Sequence, residues 1–400
     1  MNSRTVFLTA ILAATCVAQA SDWPQWRGPN RDGISAESDW SSKWSADGPK
    51  QLWRGDVGTG CSSVAVVGDH VFTMGNQSDS DTVWCLDAKT GVPVWKHTYV
   101  SPLDPKNYEG GPGATPTVDG NFVFTLSRTG QLFCLDARTG KPVWSKDLVK
   151  DFGGKAPKWG YSGSPLVAGD LVVVEAGAAG ASTLALDKKT GATVWKSGSE
   201  PAGYGTITPF ACGGKACVAS FDGTGLTVRE TKTGKELATY PWKTSYEVNA
   251  ATPIISGDKI FISSGYGKGC ALLRFDGSSL KPIWENTKMR NQFSSSVLWK
   301  DHLYGFDDST LACLDLADGS VKWTQGGLGK GSLMLAGDKL VIQSETGDLV
   351  IAPAAPESFQ EVARAKVLKD RCWVVPVLAN GRIYCKNNKG DLVCLDVSGK

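Results

Sequence analysis

Cys134-Leu135-Asp136-Ala137-Arg138-Thr139-Gly140-Lys141-Pro142-Val143-Trp144 is the phrase on which the reading of this chain turns. It returns as Leu86-Asp87-Ala88-Lys89-Thr90-Gly91 with Trp95, and as Leu186-Asp187-Lys188-Lys189-Thr190-Gly191 with Trp195. Phe275-Asp276-Gly277 leads to Trp284, and Leu314-Asp315 to Trp323. Glu230-Thr231-Lys232-Thr233-Gly234 is a weaker copy with Ala238 in place of the Trp, and Leu395-Asp396-Val397-Ser398-Gly399 begins another. The phrase reads as strand, tight turn, strand. Asp accepts hydrogen bonds from amides two or three residues on, Gly supplies a positive φ, and the Trp must find a packing surface. One copy is weak evidence; seven spaced copies predict a repeat architecture.

Each unit carries more than the phrase. An opening strand follows Ser/Thr-Pro, as at Thr115-Pro116, Ser164-Pro165, Thr208-Pro209 and Thr252-Pro253, and a Gly turn leads to a second apolar strand. Eight openings are found, at Ser62, Thr115, Ser164, Thr208, Thr252, Ser295, Ser332 and Val375. The seventh unit is degenerate, with Ala352-Pro353 in place of Leu-Asp. The eighth, Cys372 to Asp396, lacks a fourth strand, and Gln51-Leu52-Trp53-Arg54 is an orphan fourth strand with its Trp in place. Short strands, Gly-rich turns and a repeat of about forty residues predict an all-β fold. The expected form is an eight-bladed β-propeller of four-stranded antiparallel blades, closed by Leu52-Trp53 completing the C-terminal blade, which removes free sheet edges. A β-solenoid is the alternative, and it has no need of that complementing strand.

Residues 1–20 read as an export signal: Arg4 is the one charge, Val6 to Ala14 is mostly apolar, and Ala18-Gln19-Ala20 offers a cleavage site after Ala20. A lipoprotein signal centred on Cys16 is the weaker reading, because Thr15 is a poor residue before a modified Cys. Residues 21–50, rich in Trp, Pro and Gly, are expected to pack across the domain as an arm or cap, and 51–400 to form the propeller. Without the signal, 41 basic residues face 40 acidic ones, which gives no reason to expect nucleic acid or an anionic membrane as partner. No later run is long and apolar enough for a transmembrane helix, so a soluble, periplasmic or secreted monomer is expected. Cys85, Cys134, Cys313 and Cys394 each precede Leu-Asp and are read as buried packers. Cys212 and Cys217, flanking Gly213-Gly214, are the candidates for a local disulfide.

The Asp-x-x-Thr-Gly-x-x-x-Trp phrase resembles the tryptophan-docking motif of pyrroloquinoline-quinone (PQQ) repeat propellers over residues 51–400. That family includes quinoprotein alcohol dehydrogenases and the non-catalytic outer-membrane-protein assembly factor BamB. Trp23-Pro24-Gln25-Trp26-Arg27-Gly28-Pro29 is similar to the start of exported bacterial members without an assigned activity. On this resemblance Asp87, Asp136, Asp187, Asp276, Asp315 and Asp396, with Trp53, Trp95, Trp144, Trp195, Trp284 and Trp323, are structural repeat positions. The resemblance suits a binding or scaffolding module of the cell envelope, with an envelope protein, glycan or small molecule as partner.

The loops from each outer strand to the next inner strand share one face and lead to the central channel. They hold Tyr108, Glu109, Lys158, Trp159, Tyr161, Tyr246, Glu247, Asn249, Arg290, Asn291, Gln292, Lys330, Arg371 and Trp373, and also Tyr204. Such a set either receives a planar ligand or a sugar, or seals the channel with its own hydrogen bonds. For a quinoprotein, the resemblance implies a Trp floor, an adjacent-Cys disulfide lid, and Ca2+ held by Glu, Asn and Asp. No two Cys are adjacent here. Trp159 or Trp373 then serves as floor, Arg290, Lys330 or Arg371 as carboxylate partner, and Glu109, Glu247 and Asn249 as Ca2+ oxygens. That assignment is permissive, so no cofactor and no catalytic or metal residue is expected, with PQQ and Ca2+ as the alternative. His70, His97 and His302 are scattered without zinc or haem spacing.

Overall fold

The computed structural model describes residues 21–45 and 47–399; the export signal read over 1–20 lies outside the described residues. The described residues form eight sheets of four antiparallel propeller strands, consecutive in the chain in the first seven, with one further arm strand added in parallel to the seventh. The second blade is typical: Thr117–Asp119, Phe122–Leu126, Gln131–Asp136 and Pro142–Asp147 run from axis to rim. The eighth blade takes Val377–Ala379, Arg382–Lys386 and Asp391–Asp396 from the end of the chain and Lys50–Asp56 from its beginning. Trp53 pairs with Cys394 and Arg54 with Val393 in that closing ladder. The ammonium of Lys386, buried at the same seam, donates to the carbonyls of Gly60, Ser62 and Met74 at 2.7, 3.1 and 3.3 Å.

The repeated phrase is the inter-blade fastener. In each full copy Asp accepts from the amides two and three residues on, as Asp136 Oδ1 does from Arg138 and Thr139. The outer-strand Trp of one blade lies on the Gly of the next turn and donates its indole N–H to the carbonyl just after that Asp, or after Glu230 in the weaker copy. Trp53 reaches Ala88, Trp95 Ala137, Trp144 Lys188, Trp195 Thr231 and Trp284 Leu316, at 2.9–3.0 Å. Trp323 reaches Ala355 at 2.8 Å, in the degenerate seventh blade. Two seams differ. Where Ala238 replaces Trp, Gly277 of the next turn has open space above it, and Phe210 meets Phe275 edge-on with ring centroids 5.8 Å apart. Between the last two blades, the carbonyl of Val397 accepts from the Ser41 amide of the arm at 2.7 Å.

Hydroxyls ring the axis and explain the Ser/Thr-Pro openings. Thr115 Oγ1 accepts from the Ser63 amide, Ser164 Oγ from Thr115, Thr206 Oγ1 from Ser164, and Ser295 Oγ from Thr252. These four amides, each just before an inner strand, thus find an acceptor in the neighbouring blade.

Cys85, Cys134, Cys313 and Cys394 are buried free thiols within the sheets. Cys212 and Cys217 are also free, which corrects the disulfide expected between them. Cys212 stands opposite Lys215 and Cys217 opposite Phe210, so the two are diagonal neighbours on one face. Diagonal positions lie about 7–8 Å apart, beyond the reach of a relaxed disulfide.

Candidate functional site

The arm runs along the axis on the side of the short turns. Trp23 bridges to Val66, the carbonyl of Pro24 accepts from Val118, and Arg31 donates to Val167. Ile34–Ser35 then pairs in parallel with Leu335 and Ala336 of the seventh blade. Arg27 is buried and anchors this path by donating to the carbonyls of Arg31, Asp32 and Ser296. Burial, only partly offset by Asp32, pulls its guanidinium down to about 10. Between these anchors Trp26 turns into the channel and donates to Thr252 Oγ1 at 2.8 Å. The expected arm is therefore a plug, and it leaves a blind funnel on the opposite face.

The funnel encloses about 270 Å³. Trp26 is its floor, and hydroxyl-bearing or small residues just before the inner strands, among them Ser164, Thr206 and Ala250, form the throat. Tyr108, Trp159, Tyr204, Tyr266, Phe293 and Trp373 form the wall. The wall is braced: Trp159 donates to the carbonyl of Lys106 at 2.9 Å, and Trp373 to Glu345 Oε1 at 3.0 Å. Tyr108 and Trp373 lie near-parallel, 25° apart with centroids 6.5 Å apart, and Phe293 covers Trp373 at 4.3 Å. Burial pushes the Tyr108 and Tyr204 phenols up to about 12, so both stay protonated at neutral pH.

Of the residues expected to line the funnel, Tyr108, Trp159, Tyr204, Gln292 and Trp373 do so. Others stand at the rim. Lys158 lies over the rings of Trp159 and Tyr246, at 4.8 and 4.3 Å, and Arg371 lies over Trp373 at 4.6 Å. Glu109 accepts from Arg371 at 3.3 Å and from Asn388 at 2.9 Å, and Lys330 pairs with Asp308 at 2.9 Å and with Gln292. Glu247 is exposed beside Tyr246.

Four of the expected residues have other work. Tyr161 is core, donating to the carbonyl of Ala176. Asn249 is buried and donates to the carbonyls of Asp222 and Trp242 while accepting from Ser264. Asn291 is buried, donating to Phe306 and accepting from Ser296. Arg290 is paired with Asp307 through Nε at 2.5 Å and Nη2 at 2.8 Å. Conversely, Trp26, Cys61, Tyr266 and Phe293 line the funnel without having been singled out for it. Burial pushes the Cys61 thiol up to about 11, so it is no thiolate nucleophile at neutral pH.

The donor set decides what the funnel holds. None of its lining residues is Asp or Glu, and among the described residues no group of three or more His, Cys, Asp or Glu converges. Glu109 and Glu345, acids beside the wall, are already engaged, and Asn249 is turned into the core. A Ca2+ ion takes six to eight oxygens, carboxylates prominent among them. These residues do not fit the calcium-quinone pair implied by the resemblance.

Fold and repeat chemistry together define a PQQ-like repeat propeller. Residues 103–325 match the family described as "Outer membrane protein assembly factor BamB", and the chain belongs to that family. It is similar to BamB from Moraxella catarrhalis at 18% identity over 87% of this chain and 99% of that one, with a TM-score of 0.66. It is also similar to quinohemoprotein alcohol dehydrogenase from Comamonas testosteroni at 14% identity over 96% and 82%, TM-score 0.70. A europium-containing methanol dehydrogenase matches at 13% identity over 94% and 89%, TM-score 0.68. At these identities the structural likeness carries the fold alone. No curated protein matches the sequence significantly.

Proposed function

We propose that this propeller is an exported, non-catalytic binding module of the cell envelope, and that it binds through the aromatic funnel. The observation that carries this reading is a blind, aromatic-walled cavity without a carboxylate in its lining. Such a cavity offers contact area, hydrogen-bonding hydroxyls and a fixed shape, but no general base and no metal cage. The export pattern before Ser21 and membership of the assembly-factor family support the envelope setting.

Equilibrium dialysis of the purified protein against PQQ, with and without Ca2+, tests the non-catalytic part. The expected result is no retention at micromolar PQQ in either condition. Stoichiometric, calcium-dependent retention weakened by Trp159→Ala would overturn it and make a dye-linked dehydrogenase assay the next step.

A further inference from the structure

We infer that the funnel takes the terminal sugar ring of a glycan, end-on, with Trp26 of the arm as its floor. This rests on the funnel being the binding site.

The argument begins with the closed axis. An open channel or a groove lets a chain pass and reads internal segments. Here Trp26, bonded to Thr252, and the buried anchor Arg27 seal the passage below, so a ligand enters and leaves by the mouth. A polymer is then read at its end. The volume, about 270 Å³, falls just below the roughly 300–1,000 Å³ of sites for drug-sized molecules, which suits one or two rings.

Charge and polar chemistry narrow the class. A cationic ligand would meet Lys158, whose ammonium already covers Trp159 and Tyr246, and Lys106 in the lining, with no lining carboxylate to receive it. Apart from Lys106, whose ammonium pairs with Asp104 at 3.0 Å, the polar side chains of the lining are neutral, among them Ser162, Thr206, Asn107 and Gln292. A flat aromatic ligand uses ring faces but leaves several hydroxyls and amides without partners. A sugar ring uses both, setting its C–H face on an indole or phenol and its hydroxyls on the neutral donors and acceptors.

The test is a titration of the full mature chain, followed by tryptophan fluorescence and calorimetry. The probes are linear neutral-hexose oligosaccharides of one to six rings, their cyclic counterparts, and 4-hydroxybenzoate as an aromatic control. The expected result is saturable binding of at least one linear series, with affinity rising to two rings and then level, and with the cyclic forms not bound. Trp26→Ala should weaken that binding about tenfold, about the worth of one well-packed aromatic contact. Because Trp26→Ala also risks the arm, Tyr246→Ala at the exposed rim is the second variant, and it should weaken binding with folding unchanged. Affinity that climbs with every ring to six, or tight binding of cyclic forms, would overturn end-on recognition. Binding of 4-hydroxybenzoate alone would overturn the sugar class and leave the funnel as a site. Silence with every probe would overturn both.

Discussion

The ring of Trp95 lies so close to Gly140 of the next blade that a Cβ at 140 would stand 2.5 Å from its Cε3. The same indole donates to the carbonyl of Ala137 at 2.9 Å. One residue type thus closes the seam only if the facing turn has no side chain, and the two were written into the repeat together. Gly140→Ala should therefore cost clearly more than Gly120→Ala, which has a similar positive φ but open space around it. Both meet the left-handed backbone penalty of about 1–2 kcal/mol, and Gly140→Ala adds about 1–3 kcal/mol of overpacking. Urea unfolding of the two variants checks the difference.

Arg27→Ala should release the arm. It leaves the carbonyls of Arg31, Asp32 and Ser296 without their buried donor, at roughly 1–3 kcal/mol for an unsatisfied buried group. The expected outcome in limited proteolysis is early cutting within residues 22–35 while the ring persists. Equal protection of the arm in variant and parent would refute the anchoring role.

Tyr246 and Asn249 are three residues apart and should separate cleanly. Asn249→Ala removes two donated bonds and the two that its Oδ1 accepts from Ser264 and, at 3.5 Å, Thr244, so a loss of about 2–3 kcal/mol is expected in thermal unfolding. Tyr246 is 62% exposed, and its removal should leave the melting temperature unchanged while altering the environment of Trp159, which meets its ring edge at 6.0 Å. Tryptophan emission together with calorimetry reads both effects.

Glu175 makes stability depend on pH in an unusual direction. Burial, with Asp222 nearby, pushes its carboxyl up to about 8 from 4.5, so the folded chain keeps a proton that the unfolded chain releases. Its contribution is complete below the unfolded value and is lost as pH rises from about 4.5 to about 8. Burial raises Asp222 as well, and Arg229 partly opposes the shift at Glu175. Glu175→Gln should flatten the decline, on the order of a few kcal/mol, between pH 5 and 8. Denaturant midpoints at those two values measure it, and an unchanged slope would exclude Glu175 as its source.

The repeat was legible because its period is the period of a physical contact. Asp136, Gly140 and Trp144 recur because each blade must dock on the next. The same logic located the closing strand, since Trp53 stood without a blade of its own. The loops offered no such guide. Tyr161, Asn249 and Asn291 have the same chemistry as wall residues, yet one loop residue faces the channel and its neighbour the core. No spacing distinguishes Tyr246 at the rim from Asn249 three positions later. Trp26 was harder still, because it lies 226 positions in sequence from the Thr252 hydroxyl that holds it. The Trp-rich composition of the arm signalled burial without saying where. Cys212 and Cys217 show the same limit at short range: a hairpin brings them near, and register keeps them apart.

Closure through Lys50–Asp56 fixes an order of events. The first propeller strand to be made pairs with residues 391–396, the last. Until that partner exists, the strand has an open edge, and Trp53 has only one of its neighbours. Loss of residues 391–396 would therefore be felt at Lys50–Asp56, freeing that strand for adventitious pairing. Closing the ring and ordering these two strands are thus one event, and damage to either strand is damage to both.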